Sequence, residues 1–175
     1  ASLEPLGDAL REAQYVPSKF RVSTLLTGNR ATLETVQHEL PQSEVFHFAG
    51  HALVRSEHAG LLLANPRSQN GAEAVETAIL DSDGLASLNL RSLQLAVFSA
   101  CSTARDRNPG ETSSESLVNL FLRAGVSQVL ATRWNVDSRI TARYMQIFYD
   151  NLLSDESVSS SVGTASLQLR SQAET

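Results

Sequence analysis

Two short apolar runs limit what this chain can fold into. Val45 to Ala52 carries His51 near its end, and Gln94 to Thr103 carries Cys101, the only cysteine. Both runs have strand length, are too short for a helix and close on small residues, which is how a fully buried strand of a parallel sheet reads. In such sheets, ligands and chemistry collect outside the carboxyl ends of the strands. Two neighbouring strands of this kind set His51 and Cys101 side by side on one edge, a thiol with a candidate base.

The rest of the chain supplies the layers. Leu3 to Gln14 has helical spacing, and Val16 to Phe20 reads as a loop. Arg21 to Thr27 reads as a first strand turned by Gly28 and Asn29. A helix follows from about Thr32 and stops at Pro41. After His51, Leu53 to Gly60 is polar, and Leu61 to Ala64 is either another strand or a short edge piece. Asn65 to Ala78 is a long loop of low apolar content. Leu80 to Ala86 reads as a helical turn before the strand bearing Cys101.

Ser102 to Ser114 is a second polar loop, directly after the thiol. Leu117, Leu120, Phe121 and Ala124 then make a helical stripe that Gly125 ends. Gln128 to Thr132 is strand-like. A helix from Asp137 shows Ile140, Tyr144, Ile147 and Phe148 on one side, and Ser157 to Gln172 repeats a weaker stripe. This alternation predicts an α/β fold, a mostly parallel sheet flanked by helices on both faces.

Composition narrows the function. The 175 residues fit one domain, and a net charge of −5 with pI near 5.3 leaves no electrostatic footprint for nucleic acid or an anionic membrane. No stretch approaches 18 apolar residues and no signal peptide is visible, so no membrane span is expected. A lone cysteine forms no internal disulfide and suits a reducing, cytoplasmic compartment. One cysteine with four dispersed histidines gives no zinc spacing, so neither metal nor cofactor is expected. No glycine-rich phosphate loop supports a flavodoxin-like ligand binder. The chain does not begin with methionine, and is expected to be a domain excised from a longer polypeptide.

Four ordered motifs carry a resemblance: Leu26 to Thr32, Phe46 to His51, Leu95 to Thr103, and Val129 to Asp137. Together they resemble the CHAT family of caspase-like and separase-like cysteine peptidases, over nearly the whole chain. The resemblance implies a caspase-like three-layer sandwich and cleavage of a specific protein partner through a His51/Cys101 dyad. It also implies an immune or cell-death type pathway, and regulation by other modules such as tetratricopeptide repeats. The caspase signature places its histidine about 50 residues before Gln-Ala-Cys. Here the separation is 50, with Ser-Ala-Cys in that place.

The resemblance further assigns the oxyanion donors to the backbone N–H groups of Cys101 and of the residue after the histidine. That residue is usually glycine in the family. Here it is Ala52, while Gly50 precedes the histidine. A positive φ at Ala52 would strain it by roughly 1 kcal/mol or more. The resemblance also implies that the stretch Trp134, Asn135 and Asp137 borders the pocket for the residue before the cut, with Asn135 where separases carry an acidic residue. Asp137 reads equally well as a helix N-cap.

Plainer readings stand beside these. Free cysteine often just fills a core. His47 lies inside an apolar run and reads as a packed strand histidine, His38 as a solvated helix residue and His58 as a loop residue. The alternative to a peptidase is a catalytically silent interaction module on the same fold. The two polar loops flanking the dyad predict a latent domain whose loops a partner or another module orders.

Overall fold

The computed structural model describes residues 7–55, 58–65, 78–102, 113–132 and 138–173. They fall into two compact units, one within Leu26–Asn135 and one formed by Leu6–Leu25 with Val136–Thr175.

The first unit holds a five-stranded sheet. Its strands are β1 (Val45–Arg55), β2 (His58–Leu63), β3 (Ala78–Leu80), β4 (Leu95–Ser102) and β5 (Gln128–Ala131), in the order β3-β2-β1-β4-β5. β4 pairs parallel with β1 and with β5, whereas β2 is antiparallel to both β1 and β3. Only β2 therefore runs against the common direction. The fold is mixed α/β with a mostly parallel sheet, consistent with a caspase-like sandwich.

β4 explains why its sequence is apolar without alternation. Successive strand residues face opposite sides, yet Val97 is 0% and Phe98 1% exposed, so both faces are covered. One face is aromatic. Phe121, on α4 (Ser113–Arg123), stacks on Phe46 with ring centroids 6.1 Å apart and meets Phe98 at 4.7 Å. Val36 of α2 (Leu33–Glu39) and Leu85 of α3 (Ser82–Ala86) join the same core. Each such buried side chain contributes roughly 1.5–3 kcal/mol.

The helix ends follow local chemistry. Thr32 caps α2 by accepting from the Thr35 N–H at 3.2 Å, and Asp81 caps α3 by accepting from the Gly84 N–H at 3.0 Å. Gln37 Nε2 donates to the Gly84 carbonyl at 2.7 Å and so ties α2 to α3. Gly125, at φ +104°, turns the chain out of α4, and the Val126 N–H closes the end on the Phe121 carbonyl.

Two expectations about the sheet need correction. Arg21 to Thr27 is not part of the sheet; Val22 is 92% exposed. Strand propensity acts only where a pleated, half-buried place exists to receive it, and beside the distal part of β1 that place is taken by β2. β1 runs on to Arg55 and pairs antiparallel with β2 from His58, so His58 is a strand residue and not a loop residue. Of the two readings open for Leu61 to Ala64, Leu61 to Leu63 is the strand, and an inner one, because the three-residue β3 pairs beyond it. Three residues are too short to show a period in sequence.

The second unit is helical: α1 (Gly7–Tyr15), a 3-10 turn (Val16–Lys19), α5 (Ser138–Leu152) and α6 (Val158–Ala173). Tyr15 Oη donates to Asp150 Oδ1 at 2.8 Å, and Lys19 Nζ meets the same oxygen at 2.7 Å. The Lys19 ammonium also lies 4.7 Å from the Tyr15 ring centroid. Phe148 and Tyr149 are buried and pack edge to face, 5.0 Å apart. Burial first, and the negative charge of Glu12 second, push the Tyr149 phenol above its usual range. Tyr144 Oη donates to the Val162 carbonyl at 3.2 Å, joining α5 to α6. Ile140, expected on the buried stripe of α5, is about half exposed.

Candidate active site

The parallel register of β1 and β4 runs from Val45↔Leu95 to Ala52↔Ser102 and includes His51↔Cys101. Strands pair at about 4.8 Å, and residues directly opposite share a face of the sheet. The backbone thus sets residues 51 and 101 abreast, at the second-to-last parallel rung. By alternation this face is the one away from Phe46, Phe48 and Phe98. His51 is half-buried, and its Nδ1 nitrogen is shut off from solvent.

β1 does not stop at the histidine. Ala52 has register partners on both sides, Ser102 in β4 and Leu61 in β2, and is 4% exposed. Among the described residues the only non-glycine with positive φ is Asp155, so the alanine after the histidine sits in ordinary extended backbone without strain. Its amide belongs to a strand interior.

Gly50 has a different explanation from a turn. Its φ is not positive. A Cβ built there would lie 2.8 Å from Phe48 Cζ and 3.1 Å from Phe48 Cε1. The glycine makes room for a ring. The signal was in the sequence as an aromatic and a glycine two apart on one strand, hence on one face.

β5 ends at the same carboxyl edge, where the Thr132 N–H donates to the Phe98 carbonyl at 3.3 Å. Trp134, Asn135 and Asp137 follow and lie outside the described residues, as do 66–77 and 103–112 within the two expected loops. His47 is half-buried on the same strand, but it lies four residue steps of about 3.3 Å each from His51. His38 is exposed and lies 3.3 Å from Glu39 Oε1. Among the described residues no group of three or more His, Cys, Asp or Glu side chains could hold a metal, and no helix is long and apolar enough to cross a membrane.

The arrangement therefore brings together two of the expected residues, His51 and Cys101, with Ala52 one rung further on. A protein-family model, that of the CHAT domain, matches residues 1–175. No curated protein matches the chain.

Proposed function

The chain belongs to the CHAT domain family, and from that premise we propose that it is a cysteine endopeptidase acting through His51 and Cys101. The register pairing of these two residues is the observation that carries the reading. Cysteine is intrinsically nucleophilic even at a few per cent thiolate, and a neighbouring imidazole raises its usefulness.

In this reading His51 takes the proton of the Cys101 thiol, the sulfur adds to the scissile carbonyl carbon, and the carbonyl π pair moves to oxygen. The tetrahedral oxyanion accepts from the backbone N–H groups of Cys101 and Ala52. His51 gives its proton to the departing amine as the C–N bond breaks, leaving a thioester on Cys101. His51 then takes a proton from water, whose oxygen attacks the thioester; the C–S bond breaks, the acid leaves, and His51 returns the proton to the Cys101 sulfur. Trp134, Asn135 and Asp137 border the pocket for the residue before the cut. The substrate is a specific protein partner in an immune or cell-death type pathway in the cytoplasm, and regulatory modules gate the site.

One observation favours a second reading, a silent interaction module on the same fold. Ala52 is a ladder residue on both flanks, and an oxyanion donor must leave its ladder. A peptidyl electrophile decides between the readings. Labelling of Cys101 that depends on His51 supports the peptidase, and labelling unchanged in His51→Ala supports the silent module.

A further inference from the structure

Glycine in the interior of a strand is a cost, because it adds backbone entropy and contributes nothing to packing. Gly50 sits at such a place, paired with Ala100 in β4, and its φ lies outside the region that only glycine reaches. Space is what remains to account for it. A Cβ at residue 50 would meet Phe48 Cζ at 2.8 Å, Cε1 at 3.1 Å and Cε2 at 3.4 Å, so the tip of the ring overlies the glycine. Real Cβ atoms do not approach that closely.

The ring packs against the hydrophobic core. Phe48 lies 6.5 Å from Phe46, which in turn is 6.1 Å from Phe121 and 6.2 Å from Phe98. These aromatic residues occupy the face opposite His51, and the glycine they cover is the residue just before it. An aromatic ring laid over a strand glycine replaces the missing contacts and stiffens the backbone there.

We infer that Phe48 is a positioning residue for His51, acting through Gly50. The ring presses the segment 49–51 from behind and sets the height of the histidine relative to Cys101 across the rung. This deepens the dyad reading proposed above and rests on it. It also accounts for the glycine before the histidine: the ring needs the space at 50.

The test uses Phe48→Leu, Phe48→Ala, Gly50→Ala and the double variant Phe48→Ala/Gly50→Ala, in the intact chain. Cys101 is the only cysteine, so its alkylation by iodoacetamide across pH reads one thiol, and NMR titration of His51 reads its imidazole. A misplacement of about 1 Å costs up to about a hundredfold in rate. Each single alanine variant is expected to slow alkylation at neutral pH about tenfold and to move the His51 midpoint. In the double variant the methyl group occupies the vacated space, and both readouts return most of the way.

Phe48→Leu serves if Phe48→Ala does not fold, with a smaller change in the same direction. Unchanged alkylation and titration profiles in folded single variants would overturn the inference. So would a double variant whose loss equals the two single losses combined, as for independent sites. If the peptidase reading fails, wild-type turnover is absent and His51→Ala leaves alkylation unchanged. The His51 titration in Phe48→Leu still moves if the positioning is real, and stays put if it is not.

Discussion

His51 and Cys101 stand opposite each other one rung before the parallel pairing of β1 and β4 ends. The two residues proposed as base and nucleophile are thereby carried by two paired strands and not by loops, which is the more rigid way to fix a pair. Cys101→Ala is expected to abolish peptide cleavage, and His51→Ala to lower it by a hundredfold or more, on the order of general acid–base contributions. Melting temperatures should stay near wild type. Turnover that persists in Cys101→Ala would remove the nucleophile assignment.

Asn135→Asp tests the pocket. A carboxylate pairs a cationic side chain through charge-assisted hydrogen bonds that a neutral amide cannot match. Cleavage after arginine or lysine should rise relative to neutral residues in a peptide-library profile. An unaltered profile would place the pocket elsewhere.

Gly60→Ala tests the hairpin that extends β1. A Cβ at Gly60 would lie 2.5 Å from Ile79 Cγ2 and 2.8 Å from the Leu80 carbonyl oxygen. Backbone cannot swing aside as a side-chain tip can, so β2 and β3 must part. A loss of about 1–3 kcal/mol in denaturant unfolding is expected. A variant as stable as wild type would show that β3 does not pack as described.

Asp150 gives a pH dependence. Its hydrogen bond to Lys19 is the main cause holding the carboxyl below its ordinary value of 3.8, and the same bond raises the Lys19 ammonium. The folded carboxyl is the more acidic, so the pair's contribution is intact above the ordinary value and is lost as pH falls through the lowered one. For lysine the sign reverses: its contribution is intact below 10.5 and lost as pH rises through its raised value. Both groups are partly exposed, so the effect is small and screened by salt. Asp150→Asn should flatten the acid limb of stability below the ordinary carboxyl value of 3.8. An identical acid limb in the variant would show the bond does not persist in solution.

Much of the site was legible because its signals are local. The apolar run 95–102 and the small residues around Cys101 identify a strand buried on both faces, and exposures of 0% for Val97 and 1% for Phe98 agree. Gly125 ends α4 where the stripe of Leu117, Leu120 and Phe121 runs out. Period and terminator are properties of neighbouring residues, so composition along the chain is enough to read them.

What the sequence by itself determined is the α/β alternation, the strand identity of the two central runs and the residue types at their ends. Tertiary structure alone decided the register that makes 51 the partner of 101, the continuation of β1 through Ala52 into a hairpin, and the exclusion of 21–27 from the sheet. Register and edge occupancy depend on which strand arrives beside which. That is settled by packing between residues far apart in the chain, and no window of neighbouring residues contains it.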